Sequence, residues 1–240
     1  MADLYSKVTL RPRSKLERVV ELLEPGSDVP PRPKNGLVTQ LVLYFLVWGE
    51  APPQSAAQLA KGWLGADGQV DVARLAEANV DGVCSASRAA DATAALQAVA
   101  RLATDGLETL ARRDPEEARR KLASLPKLPA DQIDFLLLTS GAASTVAPSA
   151  AALRVTARLG YPGSTYAALA RALDAELPEG DHHEVAWRAH HILKQHGMRT
   201  CKETPNCGSC RASAACGYAG KGDDPASKLH GYRNGDGVAG

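Results

Sequence analysis

Four of the five cysteines in this 240-residue chain, Cys201, Cys207, Cys210 and Cys216, fall within sixteen residues, while Cys84 stands alone. Intervals of five, two and five residues keep that stretch so compact that all four sulfurs can converge on one small object, which implies a metal centre. The Cys-x-x-Cys step lets two thiolates reach a common site from one tight turn, helped by Gly208, and Pro205 restricts the loop before it. A common zinc pattern pairs two Cys-x-x-Cys elements across a longer spacer, whereas this loop has one. An iron-sulfur cube accommodates wider flanking intervals more readily, and structural zinc stands as its rival. Cys84 reads as a small buried hydrophobe.

The remaining sequence is helical in pattern. Alanine, leucine, arginine and glutamate recur at three- and four-residue spacings, aromatics are only 5%, and polar and apolar residues nowhere alternate for long, so an all-α fold is expected. Helices are expected from Ser14 to Leu23, Gly36 to Trp48, Pro53 to Leu64, Val70 to Ala78, Ser85 to Ala103, Asp114 to Ala123, Asp131 to Thr139, Ala150 to Leu159, Thr165 to Glu176 and His182 to Gln195. The second is apolar nearly all round, the pattern of a helix buried on every side. The net charge of +1 declares no polyanionic partner, so any nucleic-acid contact must use a local patch. Arg112, Arg113, Arg119, Arg120 and Lys121 are one such group, readable either as a solvated helix face or as a phosphate-facing patch. The longest apolar run, Leu41 to Trp48, is far short of the roughly 20 residues of a membrane span. The N-terminus lacks the apolar stretch of a signal peptide, so a cytoplasmic protein is expected, nucleoid-associated if the source is bacterial. After Cys216 the chain turns rich in Gly, Asp and Lys, and residues 221–240 are expected to form a flexible tail.

His190-His191, His196-Gly197, Thr200-Cys201, Cys207-Gly208-Ser209-Cys210 and Cys216-Gly217-Tyr218 resemble the C-terminal iron-sulfur loop of the endonuclease III family. The first cysteine interval is one residue shorter than in the usual pattern. That family belongs to the helix-hairpin-helix DNA glycosylases, all-helical proteins of two domains. The resemblance spans residues 34–218, strongest in the last thirty. It implies a 4Fe-4S cluster on Cys201, Cys207, Cys210 and Cys216, in a discontinuous cluster domain of residues 1–33 plus 144–220. Residues 34–143 would be a helical barrel domain ending in a degenerate hairpin, with DNA in the cleft between the two.

The resemblance also locates the catalytic positions. In the family a Leu-Pro-Gly-Val-Gly hairpin precedes a catalytic lysine, and a catalytic aspartate follows shortly before an Arg-Val pair. Here Leu125-Pro126-Lys127-Leu128-Pro129 occupies the hairpin and Arg154-Val155 follows without a gap, so Asp131 stands at the lysine position and Ser149 at the aspartate position. Asp131 cannot form an imine with the sugar C1′, and Ser149 carries no charge to support an oxocarbenium-like species. Loss of one positioned acid-base group costs roughly 10² to 10⁴ in rate, so ordinary glycosylase and AP-lyase chemistry is expected to be abolished or very weak. Pro129 has no N–H to offer a phosphate, although Lys127 can substitute as a point charge. The residues expected to touch DNA are Lys127, Leu128, Arg199, Lys202, Arg211 and Trp48, the last at the end of the helix that leads, in the family, to the loop filling the gap of a flipped base. His190, His191 and His196 read as packing or hydrogen-bonding groups rather than ligands.

A DNA-binding protein of base-excision repair, monomeric, with double-stranded, damaged or abasic DNA as its partner, is the expectation that follows. Three alternatives remain open from the sequence. One is an active glycosylase with relocated carboxylates or an unusual substrate, for which Asp131, Asp134 and Glu50 are candidates. Another is a non-enzymatic damage sensor or partner-binding cluster protein. The third is a zinc-stabilised helical protein with no nucleic-acid role.

Overall fold

The computed structural model describes residues 12–65, 69–178 and 182–230. Its first helix, α1 (Lys15–Leu23), begins in a capping box: the Ser14 hydroxyl accepts from the Glu17 N–H and the Glu17 carboxylate accepts from the Ser14 N–H at 2.8 Å. Leu16, Val19, Val20 and Leu23 form its buried face, and Gly26, at φ 99°, turns the chain away. Helix α2 (Leu37–Trp48) has no side-chain cap of its own. Its orphan N–H at Val38 donates instead to Glu108 at 2.8 Å, and Glu108 belongs to α6 (Leu107–Arg113), a helix the sequence reading did not anticipate. Contrary to expectation, α2 is not enclosed all round. Leu37, Leu41, Val42, Phe45 and Leu46 are buried, while Leu43, Tyr44 and Trp48 are half-buried and Val47 is 46% exposed.

Against α2 pack α3 (Pro53–Gly62), α5 (Ala89–Thr104), α6 and α8 (Ala130–Ser140), while α4 (Val72–Ala76) lies on α5 and α7 (Pro115–Leu122) on α6 and α8, and buried residues within 37–137 share one hydrophobic core. A second core joins α1 to α9 (Ala150–Arg158), α10 (Tyr166–Asp174), α11 (His183–Arg199) and the residues beyond it. Leu138, Ala147, Ala186 and Trp187 form a small cluster of their own, with Phe135 packed against it. Among the described residues regular structure is helical, apart from one antiparallel bridge between Leu64 and Val70. None of these helices is long and apolar enough to cross a membrane.

Of the basic run, Arg119 turns inward to an ion pair with buried Asp134, while Arg112, Arg113 and Arg120 are exposed and Arg120 pairs with Glu117 at 2.6 Å. One sequence expectation is corrected here. Residues 221–230 are not a free tail. Asp224 caps a 3-10 turn (Pro225–Lys228) that packs on α9, and its carboxylate meets the Arg158 guanidinium with Nε to Oδ1 at 3.0 Å. The remaining ten residues of the expected tail lie outside the described ones.

Candidate functional site

Helix α11 ends at Arg199 and delivers Cys201 directly into the cysteine loop, where short 3-10 turns at Cys207–Ser209 and Ser213–Ala215 fold the chain back on itself. All four cysteines are free and half-buried, and they line one cavity together with Leu23, Val155, Leu159, Ala212 and Tyr218. Among the described residues no three His, Cys, Asp or Glu side chains are gathered tightly enough to grip a single metal ion. A tetrahedral zinc would draw its sulfurs to roughly 3.8 Å from one another at Zn–S distances near 2.3 Å. A looser ring of four thiols around a cavity suits a multi-atom cluster better.

Three of the sulfurs have polar partners. Arg158 donates to Cys201 Sγ at 3.4 Å, the Ala219 N–H donates to Cys216 Sγ at 3.4 Å, and His196 Nε2 lies 3.6 Å from Cys210 Sγ. Burial pushes the Cys210 thiol up; a backbone N–H bond from Ala212 opposes this, and the neighbouring thiols add to it. The Cys201 thiol is likewise raised by burial, against the opposing pull of Arg158. Such thiols ionise fully only against an added positive charge, which a bound metal supplies.

Two arginines one turn apart on α9 fasten the first cysteine. Arg154 donates to Cys201 O at 3.0 Å and to Gly197 O at 2.9 Å, satisfying carbonyls left open at the end of α11. Arg158, fully buried, donates to the carbonyls of Cys201, Lys202 and Glu203 and ion-pairs with Asp224. Burial disfavours its charge, but the Asp224 carboxylate and Cys201 outweigh that and hold its pKa above the usual arginine value. Asp224 in turn is held below the ordinary carboxylate range, chiefly by its hydrogen bond from Arg158.

Between α7 and α8 the hairpin keeps a left-handed residue where the resemblance expects glycine: Lys127 has φ 60°. Its carbonyl accepts from Tyr44 at 2.8 Å, and its ammonium lies 6.0 Å from the centre of the Trp48 ring. Arg88 stands 5.3 Å from the same ring and donates to Trp48 O at 2.7 Å while pairing with Glu50 at 3.2 Å. Two cations thus meet at one half-exposed indole, within the range of cation–π attraction. Burial, and secondly Asp131, raises the Tyr44 phenol to about 12, so it stays a donor at neutral pH. Leu128, expected at the interface, instead turns its side chain into the core because the hairpin must be sealed from below. Arg199 and Arg211 donate to Gly26 O and Pro25 O, so both guanidiniums tie the cysteine loop to the end of α1, while the Lys202 side chain is exposed.

Asp131 lies in the first turn of α8. Ser149 is the N-cap of α9, its hydroxyl accepting from the Ala152 N–H at 3.3 Å. Asp134, a candidate relocated carboxylate, is occupied: it is 1% exposed, paired with Arg119, and accepts from Tyr166 at 2.5 Å. The link leading to Ser149 is gripped on both sides. Asp174 accepts from the Val146 N–H at 2.8 Å, and His190 Nδ1 donates to Ala147 O at 2.8 Å, with Ala147 itself at φ 46°. His190 also stacks on Phe135, 4.7 Å between centroids, so it serves packing as expected.

A solved structure of a trapped endonuclease III-DNA covalent intermediate, an estranged-adenine complex, is similar to this chain with a TM-score of 0.56 and 15% sequence identity. The match covers 86% of this chain and 96% of that one. This chain has the endonuclease III fold. No protein-family model and no curated protein matches it in sequence. Against the endonuclease III fold, sequence reading missed Arg88, Arg158 and Asp224. Arg158 had a signal, since it follows Arg154 by one helical turn on the face that the cysteines approach. Arg88 and Asp224 had none, because their partners are distant in the chain.

The buried histidine gives a pH prediction. Burial, then neighbouring His191, pushes His190 down to about 4 from an ordinary value near 6.5. The unfolded chain therefore binds the extra proton between pH 6.5 and 4, and stability falls as pH drops through that window, by on the order of 3 kcal/mol. Asp134 and Asp174, raised mainly by burial, act in the opposite sense. Denaturant titrations of wild type and His190→Gln across pH 4 to 7 separate the two, because the carboxyls remain in both proteins. The difference between them should shrink as pH falls.

Proposed function

We propose that this protein is an endonuclease III-like, DNA-binding iron-sulfur protein of base-excision repair that lacks the ordinary glycosylase and AP-lyase chemistry. The observation that carries the reading is the ring of four free cysteines around one cavity in a chain with the endonuclease III fold. Cys201, Cys207, Cys210 and Cys216 would hold a 4Fe-4S cluster. When bound, the cluster supplies a rigid, charged cross-link among segments too short to bury a core of their own. The apolar wall from Leu23, Val155 and Leu159 would shield it from water, and Arg158, Ala219 and His196 would donate to the cysteine sulfurs that hold it.

DNA would lie along the Trp48 and Lys127 face. Lys127 offers its ammonium to a phosphate, Arg88 fixes the turn after α2, and Trp48 offers a flat, half-exposed ring to an unpaired base, where stacking is worth roughly 1 to 3 kcal/mol. Lys202 adds a further exposed cation on the cysteine loop. The barrier to catalysis lies in the groups themselves: the acid at position 131 cannot become an imine, and the hydroxyl at position 149 is spent on capping a helix.

Anaerobically purified protein should absorb near 400 nm and carry about four irons; a colourless, zinc-containing preparation would overturn the cluster. Binding to a duplex with an abasic-site analogue should weaken with salt, whereas a flat dependence would contradict phosphate neutralisation. Incubation with abasic, thymine glycol and mismatch duplexes should give no strand cleavage and no borohydride-trapped adduct.

Lys127 allows a sharper test. A left-handed lysine costs roughly 1 kcal/mol relative to glycine, so Lys127→Gly should hold or raise the melting temperature. The same change removes a phosphate partner and should lower the salt slope of DNA binding by about 1. Weaker binding from a more stable protein separates contact from folding. Unchanged affinity and slope would remove Lys127 from the interface.

A further inference from the structure

We propose that the segment after the cysteine loop is a clasp, and that Asp224 is a positioning residue for the first cysteine, acting through Arg158. This rests on the reading of the four cysteines as a cluster site and adds to it a part that lies beyond the resemblance, which ends at residue 218.

The guanidinium of Arg158 has five N–H donors in a rigid fork, and every arm of the fork has a partner. Three loop carbonyls, at Cys201, Lys202 and Glu203, and the Cys201 sulfur take one side. Asp224 takes the other, with Nε to Oδ1 at 3.0 Å and to Oδ2 at 3.2 Å. The carbonyls provide only dipoles, and in the metal-free protein a protonated Cys201 adds no full countercharge. Asp224 is the acid with which the structure pairs Arg158, and a buried guanidinium stripped of its carboxylate is strongly unfavourable.

Asp224 is itself placed by the clasp. Its carboxylate accepts from the Ala226 N–H at 3.0 Å, and its carbonyl accepts from the Ser227 hydroxyl at 2.7 Å. Ala226 and Leu229 pack on the core around α9, and the His230 N–H donates to Ser164 O at 2.9 Å, which pins the far end. Tyr218 closes the near end: its N–H donates to Arg158 O at 3.0 Å and its ring lies 5.5 Å from the guanidinium. Removing the Asp224 charge should therefore release the loop at 201–206 first, while the distant core around α2 and α5 stays closed.

The test uses the full-length chain as wild type, Asp224→Asn and Asp224→Glu. Hydrogen exchange of the metal-free proteins should show the 201–206 amides opening at least tenfold faster in Asp224→Asn, with α2 and α5 unchanged and Asp224→Glu restoring most of the protection. In iron-loaded protein, loss of the 400 nm absorption to a chelator should follow the same order. Equal exchange in wild type and Asp224→Asn overturns the clasp. So does acceleration spread over α2 and α5, which marks general loosening, or a Glu variant no better than Asn. If wild type takes up no iron, the cluster reading fails while the exchange measurement still judges the clasp.

Discussion

Replacing Gly197 by alanine should cost roughly 3 kcal/mol or more and lower the melting temperature by about 6 to 12 °C. Helices α9 and α11 approach one another at this residue so closely that a Cβ would stand 2.4 Å from the Ala151 carbonyl oxygen and 2.7 Å from its carbonyl carbon. Those atoms belong to a helix backbone, so no rotamer change relieves the overlap. The helices must separate, and with them goes packing in the second core. The loss should also reach the cysteine loop. Gly197 O accepts from Arg154, and the Cys201 N–H donates to His196 O, so the first cysteine is hung from this last turn of α11. A thermal melt of Gly197→Ala, with iron content measured on the same preparation, checks both consequences. The double change Gly197→Ala with Ala151→Gly should rescue little, because the obstruction is the carbonyl rather than the Ala151 methyl. A melting temperature within about 2 °C of wild type would sink the close packing of α9 on α11.

Most of the fold was legible because helices announce themselves through periodicity and caps. Ser14, Asp114, Ser149 and Thr165 each sit at a helix start with a side chain accepting a backbone N–H. Helix α6 escaped because Asp105-Gly106 reads as a stop and the helix is only seven residues long, entered through a glycine at φ 80°. Its function was equally hidden: Glu108 caps α2 across seventy residues of sequence. The candidate site divides in the same way. Local spacing found the cysteines, whereas the fate of each basic residue depended on partners far along the chain. Arg119 found buried Asp134, Arg199 and Arg211 found the carbonyls after α1, Arg88 found Glu50 and the Trp48 carbonyl, and Lys202 stays exposed. Composition cannot separate these cases, because an arginine that braces the fold and one that grips a phosphate are the same letter.

The assignment of positions 131 and 149 makes the boldest claim, and reversing both substitutions tests it directly. Asp131→Lys together with Ser149→Asp should give a protein that forms a borohydride-trappable adduct with abasic DNA where the unaltered chain should form none. Aspartate caps helices about as well as serine, so Ser149→Asp keeps the hydrogen bond to Ala152 and should leave α9 intact. A lysine in the first turn of α8 faces the positive end of the helix dipole, at a cost of roughly 0.3 to 1 kcal/mol. The same field lowers its pKa and enlarges the fraction present as free amine, the form that attacks a carbonyl. Its Nζ would add to C1′ of the ring-opened abasic sugar and lose water to give an imine, which borohydride reduces to a stable amine. Asp131→Lys alone should give a weaker adduct, lower by roughly 10² to 10⁴ in rate without the carboxylate, and Ser149→Asp alone should give none. The hairpin limits the gain, because Pro129 still withholds one backbone donor from the phosphate. If the double variant folds and binds abasic duplex as tightly as wild type yet traps nothing, then 131 and 149 do not face the sugar, and the register that places them at the catalytic positions is wrong.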